Sequence, residues 1–296
     1  MTALVRSPAN AGALQAIGCR LVEGGLEHAA AREALLAGAE VAYHVAGLVA
    51  ARSPAEFQRV NRDAAALLAQ GAAKADVARF VLVSSLAVTG PSPRGRSLAE
   101  DEGPGPVTAY GRSKREGEIA VRDTGVPLTI VRPPAVYGPA DRAFLTVFRL
   151  AARGFFPLLG DGRQELSLVF APDLARALVA AAASRATLGR IYHAAHQEVV
   201  TQRELGEALR RALGRRVRFV RLPGPLLRVL LGAARPFARA TGRPALPDPD
   251  KAHELLAPAW RASSEALRRD AGWVAEVPLE RGLALTLSAY REAGWL

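Results

Sequence analysis

A doubly wound, parallel α/β sheet is the fold class that this 296-residue sequence predicts. Three observations carry it. Short apolar, β-branched runs alternate with longer stretches of helical character across residues 1–137. The runs are continuously apolar rather than alternating, as strands covered on both faces require. One of them closes on two hydroxyls, Ser84 and Ser85, at the carboxyl end where open α/β sheets gather functional groups.

The elements follow in order. Met1-Thr-Ala-Leu-Val-Arg-Ser-Pro8 reads as the end of a strand and its turn, and Glu40-Val-Ala-Tyr-His-Val-Ala46 as the next buried strand. Ser53-Pro-Ala-Glu56 combines an N-cap, proline at the first helical position and an acid three residues after the cap. It opens a helix running towards Lys74. Arg79-Phe-Val-Leu-Val-Ser-Ser85 is a strand, and Gly90 to Pro106, rich in Pro, Gly and Ser, is loop with Glu100-Asp-Glu102 solvated. A helix starts near Tyr110, and Leu128 to Val131 is a further strand. Beyond Tyr137 the pattern turns helix-rich, with short strands at Glu165 to Phe170 and Val217 to Val220. Thr201-Gln-Arg-Glu204 is a capping box whose helix stops at Gly214.

Composition bounds the function classes. The length supports a substantial core in one large or two joined domains. A lone cysteine, Cys19, excludes an internal disulfide and suits a reducing cytoplasm. No apolar run is long enough to span a bilayer, and the start does not read as a signal peptide. The net charge of +11 comes mostly from scattered arginines. The exception is Arg203 to Arg243, with eleven arginines against Glu204 and Glu207. Within it Leu226, Leu227, Leu230, Leu231 and Ala234 form an apolar stripe, Arg228, Arg235 and Arg239 share a face, and Pro236 kinks or ends the helix. A peripheral membrane contact is conceivable there; a helix packed on the substrate lobe is favoured over it. Nucleic acid is disfavoured because stacking aromatics are sparse. His193 and His196 lack the partners of a metal site, so none is expected.

The chemistry centres on Ala109-Tyr-Gly-Arg-Ser-Lys114. On a helix Tyr110 and Lys114 share one face. A tyrosine titrates at about pH 10, and an ammonium beside it favours the phenolate. Tyr110 then becomes an acid/base near neutral pH, with Ser85 converging on it from the strand end.

These residues resemble the catalytic triad of the extended short-chain dehydrogenase/reductase family, also known as the NAD-dependent epimerase/dehydratase family. The resemblance covers nearly the whole chain. It includes Val81-Leu-Val-Ser-Ser-Leu-Ala-Val-Thr-Gly90, Thr129-Ile-Val-Arg-Pro-Pro-Ala-Val-Tyr-Gly-Pro139 and Ser263-Ser-Glu-Ala-Leu-Arg-Arg-Asp-Ala-Gly-Trp273, followed by Val277-Pro-Leu-Glu-Arg-Gly-Leu283. It implies a Rossmann-like sheet and an NAD(P)-dependent enzyme. Residues 1–137, rejoined by 164–195, would form the dinucleotide domain; 138–163 and 196–296 would form the smaller substrate lobe. Ser85, Tyr110 and Lys114 would be catalytic.

The family's opening strand, Gly-x-x-Gly-x-x-Gly turn and helix have no counterpart near this N-terminus. About thirty residues of a βαβ unit are unaccounted for, which should leave strand edges open and weaken the pyrophosphate site. A start assigned too late and a degenerate variant both explain this; the intact downstream motifs favour the first.

For the cofactor, Arg6 ends the first strand seen here, where an arginine suits a 2′-phosphate; NADP is expected ahead of NAD. Leu26 closes Val22-Glu-Gly-Gly-Leu26, in which Gly25 replaces the family's adenine-contacting Asp. Ala46, Gly47 and Ser84, together with Pro133 and Val136 flanking the nicotinamide, complete the expected cofactor set with Tyr110 and Lys114. Thr89 stands where sugar-modifying members carry Tyr, and Glu165-Leu-Ser-Leu-Val-Phe-Ala-Pro-Asp173 departs from their Arg-Asp-Phe-Ile-His-like run. The pattern is more similar to the 3-beta-hydroxysteroid dehydrogenase and dihydroflavonol reductase branches. The expectation is interconversion of a secondary alcohol and a ketone on an apolar small molecule, with Phe155, Phe156, Leu158 and Leu159 as pocket or core. A nucleotide-sugar epimerase or dehydratase, and a non-catalytic scaffold acting by interaction, are the alternatives. The family also suggests a homodimer through the helices of Ala55 and Tyr110.

Overall fold

The computed structural model describes residues 1–241 and 251–296. The chain begins with β1 (Thr2–Val5), α1 (Gly12–Ala16), β2 (Arg20–Glu23), α2 (Ala29–Leu36) and β3 (Val41–His44). Next come α3 (Pro54–Phe57), a π-helical turn over Gln58–Asp63 and α4 (Ala64–Lys74), then β4 (Arg79–Val83), α5 (Ala109–Arg122) and β5 (Leu128–Arg132). Strand β4 is buried along its whole length, as its unbroken apolar run demands. Strands β3, β4 and β5 pair in parallel with β9 (Ile191–His193), in the order β3-β4-β5-β9.

Strands β1 and β2 pair only with each other, also in parallel. Among the described residues, β1 and β3 therefore each keep one edge without a partner strand. On β3 the side chains of Val41 and Tyr43 are exposed. Helix α2 links the two sheets: Leu36 is buried in the core of Leu68, Phe80, Leu82 and Ile130.

The rest of the chain returns to the larger sheet in part, Leu174, Ala177 and Leu178 packing on the face of Val81, Val83 and Val131. It comprises β6 (Ala135–Tyr137), α6 (Ala143–Ala152), β7 (Phe155–Leu159), β8 (Glu165–Phe170) and α7 (Ala171–Ala183), which leads to β9. After β9 come β10 (Val199–Thr201), α8 (Gln202–Leu213), β11 (Arg218–Leu222) and α9 (Gly224–Thr241). Last are α10 (Lys251–Leu256), β12 (Ala259–Trp260), α11 (Glu265–Ala271) and α12 (Leu279–Glu292). Strand β8 is flanked by β10 and β12 and also pairs with β6, while β7 pairs with β11. The capping box at Thr201 forms, and Gly214 ends α8 in the left-handed conformation with φ 63°.

One expectation is corrected and two are made specific. Helix α9 runs through Pro236 to Thr241. The side chains of Ala234, Arg235 and Arg239 lie outside the described residues, so the predicted basic face rests on Arg228 alone. Phe156 and Leu158 are core, packed with Phe148 and Leu209, while Phe155 is exposed. The segment after Gly90 is tied down: Ser92 N–H donates to Ala259 carbonyl at 2.9 Å and Leu98 N–H to Arg261 carbonyl at 3.2 Å.

Candidate active site at the ends of β4 and β5

Where β4 ends, the chain needs a sharp exit, and Ser85 supplies it. Its Oγ accepts from Ala87 N–H at 3.1 Å, capping a short 3-10 turn over Leu86–Val88. Helix α5 starts against this turn. Thr108 caps it, accepting from Gly111 N–H at 3.1 Å. Gly111 is needed there, since a Cβ would stand 2.5 Å from Ala87 carbonyl oxygen. The close approach brings the Tyr110 phenol up to the Ser85 side chain, which acts on its pKa. The Phe57 ring packs beside it, with centroids 6.1 Å apart. One turn on, Lys114 is buried, and its Nζ donates to Val83 carbonyl at 2.8 Å. Ser85, Tyr110 and Lys114, separated in sequence by a long loop, thus meet.

Their electrostatics differ from the sequence expectation. Burial holds the Tyr110 phenol above its usual range; the neighbouring Ser85 side chain pulls it down, and the Glu254 carboxylate of α10 pushes it further up. The expected depression by Lys114 is absent because the ammonium is itself desolvated and directed at Val83 carbonyl. Burial lowers Lys114 to about 8, against the opposing effect of Glu118. At the end of β3, His44 falls to about 4, chiefly by burial and then by Lys114.

A supporting shell escaped the sequence reading. Asn61, on the π-helical turn, accepts from Leu48 N–H at 2.8 Å; its Nδ2 donates to Leu48 carbonyl and Ser113 Oγ, both at 2.9 Å. This clamps the segment after β3 onto α5. Glu118 forms a buried two-pronged pair with Arg132, at 2.8 Å to Nε and 2.6 Å to Nη2. Arg132 also donates to Thr89 Oγ1 at 3.3 Å and Glu100 carbonyl at 2.9 Å, and Thr89 Oγ1 lies 2.9 Å from His193 Nε2. Glu100, expected in solvent, accepts from His193 N–H at 2.9 Å, and burial raises its pKa. The spacing of Glu118, four residues after Lys114, was the one available signal.

The expected cofactor residues fall into two groups. Ala46 and Gly47 are exposed just past β3, and a Cβ at Gly47 would lie 3.6 Å from Lys114 Nζ. Ser84 is buried with no partner for its Oγ among the described residues. Pro133 carbonyl accepts from Leu86 N–H at 2.8 Å, and Val136 lies on β6 against the buried layer of Val131 and Val169. An orphaned Ser84 hydroxyl, two spare N–H donors on Lys114 and a bare backbone at Gly47 suit the nicotinamide riboside end of a dinucleotide. Arg6 and Leu26 belong to the other sheet. Arg6 is exposed past β1, and Leu26 packs towards the core under β3 and β4. The sequence contains no Gly-x-x-Gly-x-x-Gly turn to receive the pyrophosphate between these groups.

The chain resembles known proteins in sequence and in fold. The chain is 36% identical to a ceramide reductase of Caulobacter vibrioides over 278 residues, 93% of this chain and 82% of that protein. It is 29% identical to a Stigmatella aurantiaca ketoreductase acting on 4-hydroxy-2-methyl-3-oxo-4-farnesyl-3,4-dihydroquinoline-1-oxide, covering 99% of this chain and 88% of that protein. Its structure superposes on the dTDP-glucose 4,6-dehydratase DesIV of Streptomyces venezuelae, solved with NAD bound, with a TM-score of 0.77 and 25% identity. That match covers 99% of this chain and 88% of the dehydratase. A family model matches residues 2–195, about two thirds of the chain: the chain belongs to the NAD dependent epimerase/dehydratase family.

Proposed function

We propose that the chain interconverts a ketone and a secondary alcohol on a largely apolar substrate, with NADP(H) as its preferred cofactor. The observation that carries this reading is the approach of the Tyr110 phenol to the Ser85 side chain, with Lys114 buried one turn below. Ser85 Oγ and Tyr110 Oη converge on one substrate oxygen. Tyr110 gives that oxygen its proton during reduction and takes it back during oxidation. Lys114 and Ser84 hold the ribose and carboxamide end of the dinucleotide, and Arg6 favours a 2′-phosphate. When bound, the nicotinamide supplies or accepts the hydride.

Two features support a reductase over a sugar epimerase. Thr89 Oγ1 is committed to His193 and Arg132, so it does not replace the tyrosine of the sugar-modifying members. The two relatives above are reductases named for a ceramide and a farnesylated quinoline, which supports a long apolar substrate.

The test is turnover of a panel of long-chain ketones with NADPH and NADH by the wild type and Tyr110→Phe. The expected result is a loss of about 10²- to 10⁴-fold in Tyr110→Phe with cofactor affinity retained. Undiminished turnover by Tyr110→Phe overturns the mechanism; faster turnover with NADH overturns the cofactor preference.

A further inference from the structure

Helix α9 is apolar in sequence around most of its circumference, yet among its described side chains, residues 226–231, only one side is packed. At 100° per residue, Leu227 and Leu231 fall on one side and Leu226, Val229 and Leu230 on an adjoining arc. The first pair is buried against Ala252, Leu255 and Leu256 of α10 and against Leu159 and Leu222. The second set is open: Leu226 is 48% exposed, Val229 66% and Leu230 50%. A helix apolar on this scale is ordinarily covered.

The bare surface continues onto the neighbouring strands. Leu159 pairs with Leu222 and Pro157 with Val220, so Phe155, Pro157, Leu159, Val220 and Leu222 share the face of the β7–β11 pair that α9 covers. At the uncovered end of that face Phe155 is 50% exposed and Val220 44%.

Charge identifies the occupant. From Gly214 to Gly232 the chain carries five arginines and no acid. Arg218, which pairs with Phe155 on that face, and Arg228 of α9 are exposed, and neither forms an ion pair among the described residues. A second copy docked here would bring these like charges together. An anionic lipid surface complements them, while the open leucines and valine enter the interface between headgroups and acyl chains. We propose that the exposed arc of α9, with Phe155 and Val220 beside it, is a docking surface for an anionic membrane. The inference does not depend on the reaction proposed above, since none of these residues touches Ser85, Tyr110 or Lys114.

The test is co-sedimentation of the full chain with vesicles of phosphatidylcholine alone, or of phosphatidylcholine and phosphatidylglycerol in equal parts. The expected result is binding to the anionic vesicles only, weakened by added salt. Leu226→Gln/Val229→Gln/Leu230→Gln should weaken it at least about tenfold. Arg218→Glu/Arg228→Glu, altering only exposed side chains, should weaken it roughly thirtyfold. Circular dichroism melts check folding, and the arginine variant decides the matter if the apolar variant unfolds. Failure to bind either vesicle, or undiminished binding by the folded variants, overturns the proposal. So does a vesicle-indifferent dimer that the glutamine variant dissociates, which would assign the face to a second copy.

Discussion

At the scale of single residues, the site is governed by desolvation. Tyr110 is held up and Lys114 brought down to about 8, both chiefly by burial. The sequence shows that the two share a helix face; it cannot show that Val83 carbonyl takes the ammonium's hydrogen bond, because that carbonyl is placed by the end of β4. Glu118 is the counterweight. It raises the Lys114 pKa against the effect of burial while its carboxylate is clasped by Arg132 at 2.6 Å in a dry setting. Removing one partner of such a pair leaves an uncompensated buried charge. Glu118→Ala should therefore lower stability by about 3–5 kcal/mol in chemical denaturation, and Glu118→Leu/Arg132→Met should recover much of it. In a folded Glu118→Gln protein, Lys114 should lose its proton at lower pH, moving the alkaline limb of the rate profile downwards. A profile that stays in place would show that Glu118 does not act on Lys114.

At the scale of elements, the sequence marked where chain segments begin more faithfully than what they touch. Ser53, Thr201 and Gly214 act as caps and stop because these signals are local. The Gly90-to-Pro106 segment carries loop composition, but its partners, Ala259, Arg261 and Glu165, lie far downstream and leave no mark on its own residues. The π-helical turn was equally hidden. It sets Asn61 between Leu48 and Ser113, and its backbone is pressed against α5 at Gly117, where a Cβ would stand 2.2 Å from Asn61 carbonyl oxygen. Since the obstacle is backbone, no rotamer change relieves it. Gly117→Ala should push α5 away from this turn at a cost of about 1–3 kcal/mol, and should weaken cofactor binding by loosening the Asn61–Leu48 clamp. An unchanged melting temperature with unchanged cofactor affinity would contradict the role given to this contact.

At the scale of the whole molecule, a parallel sheet containing β3, β4 and β5 was legible because β4 and β5 are continuous apolar runs separated by helical stretches, whereas the strand order and β9 were not. The missing glycine-rich turn led to the expectation of open strand edges, which β1 and β3 show among the described residues. The tertiary burial of polar groups was not legible, and it governs how the protein meets acid. His44 at the end of β3 and His193 at the end of β9 are both buried and both lowered to about 4, in each case chiefly by burial. An unfolded chain protonates its histidines near pH 6.5. Above that value neither state binds the proton and the stabilisation is complete. Between about 6.5 and 4 the unfolded state binds more protons than the native state, so stability falls as pH falls. At about pH 5 the loss should be about 2 kcal/mol per histidine. Glu100 acts in the opposite sense, because its raised pKa lets the native state take a proton first and offsets part of the loss. Urea denaturation at about pH 7 and pH 5 should therefore show a marked drop, and His193→Gln, which retains a hydrogen-bonding group towards Thr89, should reduce that drop by roughly half. Equal stability at the two pH values, or an unaltered drop in His193→Gln, would show that these imidazoles do not carry the acid response.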